Sequence, residues 1–347
     1  MTTRVPASKN SQSLDADYAF LRRLGSGNFG SVLLYTRRSN GINVAVKLLE
    51  RGERINKDVI REVLNHRLLD HVNIIRFLEL RLTQTHLAIV MEYAPGGELF
   101  SRLVENKGGP FREEEARWYT QQLVAGLIHM HRRGVAHRDI KLENLVLSES
   151  ISSGTSRPRV KICDMGYSKQ LALSQAKTKV GTASYLAPEV VHDSNYDAFG
   201  CDVWATGVCL HVMLARAYPF NDPRNQNDDR VTVRNLVKYY NGEIRYNAPA
   251  SSSPQCQELL RRLLAPHHQD RIRLEEVVLN EWFLTSFPDN YLVEATHMGS
   301  LPQGWGEMQT EDETKMILER AAAGPDKSTE DMFIDENMDS PVYDPEY

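Results

Sequence analysis

One stretch limits the fold more than any other: LGSGNFGSVLLY, residues 24 to 35. Gly25, Gly27 and Gly30 form a G-x-G-x-x-G string, which on its own says only that backbone comes close to a phosphate. A dinucleotide-binding unit would continue into a helix whose N-terminus faces the pyrophosphate. Here the continuation is Ser31-Val32-Leu33-Leu34-Tyr35, then the turn-forming Ser39-Asn40-Gly41, then the alternating Ile42-Asn43-Val44-Ala45-Val46. That is strand, loop, strand, hairpin, strand, and the dinucleotide fold is disfavoured.

At 347 residues and 41% hydrophobic content the chain can bury a large core, as one two-lobed unit or two domains. A net charge of −5 supplies no general attraction for nucleic acid or an anionic membrane, so neither is expected as a partner. The longest apolar stretches, such as Val208 to Ala215, are too short to span a bilayer. Residues 1–17 lack the apolar centre of a secretion signal and read as a disordered tail. Cys163, Cys201, Cys209 and Cys256 are widely spaced and read as reduced thiols of an intracellular protein. From Pro325 to Tyr347, eight acids against one lysine give −7, which leaves the rest of the chain at +2. That tail is expected to be disordered.

Strand patterns dominate residues 18 to about 93, with one helix pattern from roughly Asn56 to Leu69. Residues 97 to about 285 are mainly helical, interrupted by short strands near Leu145–Leu147 and Arg159–Cys163. Val44-Ala45-Val46-Lys47 follows the glycine loop; His137-Arg138-Asp139-Ile140-Lys141-Leu142-Glu143-Asn144, Asp164-Met165-Gly166 and Ala187-Pro188-Glu189 come after it, in that order. Order and spacing resemble the protein-kinase signature. From residue 18 to 285 the chain resembles a eukaryotic serine/threonine protein kinase. The stretches 61–77, 86–100, 161–169, 180–190, 196–208 and 217–223 resemble, more closely, the plant and green-algal sucrose-non-fermenting-related kinases of subfamily two, activated by osmotic stress and abscisic acid.

The resemblance implies an α+β two-lobed kinase fold: a small mainly β N-lobe with one key helix (18–91), a hinge (92–95) and a larger mainly α C-lobe (96–285). A linker (286–307), a regulatory helix (308–323) and the acidic tail (324–347) follow. It implies ATP and Mg2+, with Mn2+ as a substitute. Leu24, Gly25, Ser26, Gly27, Asn28, Phe29, Gly30, Val32, Ala45, Lys47, Glu92, Ala94 and Val146 would form the nucleotide site. Phosphoryl transfer spreads negative charge over oxygens, so the protein must supply positioning and cations. Lys47, oriented by Glu62, would hold the α- and β-phosphates; Asn144 and Asp164 would bind the metal, since hard cations take oxygen ligands. Asp139 would accept the substrate hydroxyl's proton and Lys141 would neutralise the γ-phosphate. Taken singly, Asp139 and Asn144 could be turn formers and Glu62 a solvated helix carboxylate.

Two features depart from the family pattern. Met165 replaces a Phe that would stack with His66, Phe77 and His137; Met fills similar space, so a softened column is expected. The loop 148–159 is longer than the family's and reads as neutral. Arg138 is expected to be a buried cation calling for an anion, which phosphorylation of Thr178, or of Ser174, would supply with help from Lys169. Thr182 would sit in the substrate-binding stretch. Glu98 is either a carboxylate favoured by a helix dipole or, with Glu143, the receptor for a substrate arginine three residues before the target. Asp202 resembles a brace for the catalytic loop, and Arg271 the buried partner of Glu189.

Protein substrates, an upstream activating kinase and a type 2C phosphatase bound through the kinase and its acidic tail are the expected partners, with a monomer in cytoplasm and nucleus. A pseudokinase scaffold acting through its C-terminal segment is the alternative, and Met165 alone speaks for it. A small-molecule kinase is disfavoured by the peptide-positioning segment 180–189. One element is legible without any family. Thr310 with Glu313 makes a capping box, and Thr314, Ile317, Leu318 and Ala321 share one helical face. So short a helix needs a surface to bury Ile317 and Leu318, and the resemblance places that surface on the helix carrying Glu62.

Overall fold

Alternation along the third strand decides which way the N-lobe faces. The computed structural model describes residues 14–27, 30–149, 158–165, 183–192, 196–222, 228–288, 291–294, 301, 305 and 307–325. β1 (Tyr18–Gly27), β2 (Gly30–Arg37), β3 (Asn43–Glu50), β4 (Phe77–Leu82) and β5 (His86–Glu92) form an antiparallel sheet in the order β1-β2-β3-β5-β4. Gly41, at φ +72, turns the hairpin that pairs Thr36 with Asn43. Successive strand residues point to opposite faces. Val44 and Val46 therefore pack into an outer cluster with Tyr18, Tyr35, Leu78 and Val90, and Ala45 and Lys47 take the other face.

α1 (Leu14–Asp17) is a single helical turn with Leu14 buried in the same outer cluster, so part of the expected N-terminal tail is ordered onto the sheet. α2 (Lys57–Arg67) starts where Asn56 accepts from the backbone N–H groups of Asp58 and Val59, both at 3.0 Å. It buries Val59, Val63 and His66.

Below the sheet lie α3 (Leu99–Glu105), α4 (Glu113–His131), the paired β6 (Leu145–Leu147) and β7 (Val160–Ile162), and α5 (Pro188–His192). α6 (Ala198–Ala215) and α7 (Asp229–Tyr240) follow. Then come α8 (Pro254–Leu263), α9 (Leu274–Val277), α10 (Glu281–Leu284), α11 (Tyr291–Glu294) and α12 (Glu311–Ala322). α6 corrects the reading of the apolar stretches. At 18 residues and mean hydropathy 1.5 it is long and apolar enough to cross a membrane, yet it is the buried centre of this lobe, packed on α4 and α8. Trp204 and Trp282 are core residues, and Arg271 forms a buried bidentate pair with Glu189, at 2.7 and 2.9 Å. The segment 150–157 of the long loop lies outside the described residues.

α12 has its capping box: Glu313 N–H donates to Thr310 Oγ1 at 3.2 Å, and Thr310 N–H to Glu313 Oε2 at 2.8 Å. Thr314, Ile317, Leu318 and Ala321 are buried where the helix packs on α2, β4 and β5. Both ends are clamped. The Gln309 amide accepts from Leu80 N–H at 2.8 Å and donates to Leu80 O at 2.9 Å, occupying the exposed edge of β4 as another strand would. Arg67 donates to Gln309 O, and Arg51 to the carbonyls of Arg320 and Gly324. Just before the helix, Trp305 enters the outer cluster with the Arg37 guanidinium 4.2 Å from its ring centroid.

Candidate active site

The cleft is assembled from the ends of short elements. β3 carries Lys47, and Asp164 stands two residues past the end of β7. Lys47 Nζ donates to Asp164 Oδ1 at 2.7 Å, joining the two lobes. Burial would push the Asp164 carboxyl up, but Lys47 beside it, with His137 and Lys141 beyond, holds it below the usual carboxylate range. Glu62 lies half-buried on α2, one turn before His66.

The catalytic loop is held from beneath. Asp202, from buried α6, accepts from the backbone N–H groups of His137 and Arg138, each at 2.8 Å, and contacts His131 Nε2 at 2.9 Å. Those bonds fix a backbone in which Arg138 takes φ +65; Asp164 takes φ +57. Non-glycine residues in this region are costly and persist where their surroundings over-determine them. Asp139 Oδ2 accepts from Lys141 Nζ at 3.1 Å and Asn144 Nδ2 at 3.0 Å, so the carboxylate is held in one orientation. Asn144 Nδ2 also donates to Asp139 O at 2.8 Å. With its nitrogen committed to Asp139, the amide oxygen is the atom that would take a cation. An amide oxygen and a depressed carboxylate are the hard donors that Mg2+ takes, so the residues present fit that ion.

Behind Asp164, His66 and Phe77 meet edge to face at 5.8 Å, His137 Nε2 contacts Cys163 O at 3.0 Å, and Met165 is buried. Burial lowers the His66 pKa to about 4 and raises the Cys163 thiol to about 12, so both are neutral.

Val32 pairs with Lys47 and with Gly25 across the sheet, and Leu34 pairs with Ala45. Leu24, Gly25 and the backbone of Ser26 and Gly27 run along β1. Gly30 is at φ +129, and a Cβ there would stand 1.9 Å from Leu48 O. Its glycine requirement therefore comes from the strand beneath it. Glu92 ends β5, and its carboxylate takes Lys161 Nζ, from β7, at 2.9 Å; Ala94 and Val146 pack on the core beside it. Sequence reasoning missed that ion pair, although a lysine between Val160 and Ile162 in an apolar strand was a signal.

Asn28, Phe29, Lys169, Ser174, Thr178 and Thr182 lie outside the described residues. Arg138 is exposed, not buried: Asp202 holds its backbone N–H, and its side chain lies at the surface. Glu98 heads α3 without a side-chain cap bond, and burial raises its carboxyl; burial also raises Glu143, with Glu98 adding to it. Tyr185 Oη donates to Glu143 Oε2 at 3.4 Å.

The protein kinase domain family model matches residues 18–283. Serine/threonine-protein kinase SAPK9 of Oryza sativa subsp. japonica is 42% identical over 328 residues, covering 93% of this chain and 87% of the rice protein. Serine/threonine-protein kinase SRK2C of Arabidopsis thaliana is 45% identical over 307 residues, 88% of this chain and 84% of its own. Arabidopsis SRK2D is 42% identical over 331 residues, 94% of this chain and 88% of its own. Fold, motifs and relatives agree: this chain belongs to the protein kinase family, as a serine/threonine kinase of the subfamily-two sucrose-non-fermenting-related group.

Proposed function

We propose that this kinase phosphorylates serine or threonine in segments carrying an upstream arginine, is switched on through Thr178, and acts in stress signalling as its group resemblance implies. The observation that carries the assignment of its active site is the 2.7 Å contact between Lys47 and Asp164. Lys47 holds the α- and β-phosphates of ATP, and Asp139, fixed by Lys141 and Asn144, orients the substrate hydroxyl and takes its proton. Lys141 then faces the charge on the transferred group. Asn144 and Asp164 would hold Mg2+, whose charge neutralises phosphate oxygens. Transfer of labelled γ-phosphate to an arginine-containing serine peptide, and not to its alanine-for-serine version, tests the reaction.

Arginine selection rests on Glu98 and Glu143, two carboxylates both raised by burial and close enough to repel one another. A guanidinium between them relieves that repulsion. Glu98→Ala should raise KM for an arginine peptide about tenfold or more, the worth of a hydrogen bond to a charged group. It should leave a peptide lacking the arginine unchanged. The pH dependence has a definite sign. As pH falls the raised carboxyls protonate first, so KM for the arginine peptide climbs while that for the arginine-free peptide stays level. Parallel pH profiles for the two peptides would count against the assignment.

Activation rests on the exposed guanidinium of Arg138, next to Asp139 in the chain and available to a phosphate. Phosphatase treatment should lower activity and an upstream kinase restore it. If Thr178→Ala, confirmed folded by its melting curve, responds as fully as the unaltered protein, the switch lies elsewhere, with Ser174 next.

A further inference from the structure

Asn73 is fully buried in the loop between α2 and β4, and every face of its side chain is used. Its Nδ2 donates to Gln122 Oε1, on α4, at 3.1 Å and to Val160 O, on β7, at 2.8 Å. Its Oδ1 accepts from the Tyr291 hydroxyl at 2.9 Å. Tyr291 opens α11, beyond the residues matched by the kinase-domain model. It is held by rings on two sides, Phe287 at 5.4 Å and Trp118, from α4, at 6.3 Å. Burial raises its pKa, so the hydroxyl stays protonated and remains a donor.

The Asn73 loop also fixes β7. Ile162 N–H donates to Asn73 O at 2.8 Å, and Ile162 O accepts from Ile75 N–H at 2.9 Å. Both backbone polar groups of Ile162 are thus committed to one loop, and Asp164 is two residues further on, in a left-handed conformation. Such a residue keeps its position only if its flanks are firmly held. We infer that Tyr291 is a positioning residue for Asp164, acting through Asn73 and β7, so that a segment outside the kinase domain sets how the metal-binding carboxylate is presented. This rests on the reading of Asp164 as a metal ligand.

The physical reason lies in the amide. Without the Tyr291 hydroxyl, Oδ1 of Asn73 is a buried acceptor lacking its donor, and such a group costs more than the bond itself was worth. The amide then rotates to find another donor. That rotation releases Val160 O and loosens β7 against the loop, and the strain at Asp164 relaxes first. Networks of fully satisfied buried groups lose rigidity as a unit when one member goes.

The test uses the full chain and equilibrium binding of a non-hydrolysable ATP analogue, by calorimetry, in Mg2+ and in EDTA. Tyr291→Phe removes one oxygen and keeps the ring contacts. It should shrink the Mg2+-dependent gain in affinity by about two- to tenfold, the range set by one hydrogen bond, with affinity in EDTA unchanged. Phe287→Leu weakens the same ring stack without touching Asn73, so it should lower Tm and leave that gain intact. An unchanged gain in folded Tyr291→Phe, or an equal loss in Phe287→Leu, overturns the inference. Asp164→Asn separates the two readings. If it retains the gain, the metal assignment fails and the inference with it. If it loses the gain while Tyr291→Phe does not, only the role of Tyr291 is refuted.

Discussion

Asp139→Ala should lower phosphoryl transfer by roughly 10²–10⁴-fold, the range of a positioned general base, and Asp164→Asn by at least about 10²-fold, as for loss of a preorganised charge stabiliser. The two losses have different origins. Asp139 is held by Lys141 and Asn144, so alanine removes both the base and the group that orients two neighbours. Asp164 is held ionised by Lys47 after burial is overcome. Asparagine keeps its shape while removing the charge that both Lys47 and a hard cation require. Single-turnover rates at saturating peptide, with melting curves as a folding control, measure both effects. The control matters because Lys47 is only 7% exposed and a buried ammonium is sensitive to loss of an anion. Met165→Phe, a change of apolar packing alone, should retain activity or raise it. Robust turnover by Asp139→Ala would remove it as the base.

Cutting the chain after Trp305 should lower Tm by at least about 5 °C, whereas cutting after Gly324 should leave both Tm and activity near those of the full chain. The first cut removes α12, which buries Ile317 and Leu318 against α2, β4 and β5. Each of those side chains contributes about 1.5–3 kcal/mol by burial. It also strips the Gln309 amide from the edge of β4 and the carbonyl caps from Arg51 and Arg67. α2 carries Glu62 and His66, so activity should fall with stability. The second cut removes only the acidic tail, beyond the Arg51–Gly324 contact. Equal behaviour of both truncations and the full chain would show that the docked helix is dispensable.

α12 and the segment before it show what local patterning can reveal. The capping box and the apolar face of α12 are repeats within a dozen residues, so they are visible before any tertiary contact is known. Trp305 and Tyr291 lie where the pattern loosens, and nothing near them in the chain marks them as anchored to distant residues. Tyr291 meets a partner 218 residues away and Gln309 one 229 residues away. Contacts made by one side chain over such separations leave no periodic trace.

The sequence by itself determined the two-lobed fold, the family, and the order of Lys47, Asp139, Asn144 and Asp164 along the chain. Each of these depends on residue types at short spacing, where backbone geometry dictates what neighbours can do. Only the tertiary structure decided that Arg138 is exposed, that Glu92 is tied to Lys161, and that Gly30 answers to Leu48. It also decided that the C-terminal segment wraps the N-lobe through Trp305 and Gln309 and reaches Asn73 through Tyr291. Burial and pairing are properties of three-dimensional neighbours, and chain adjacency does not encode them.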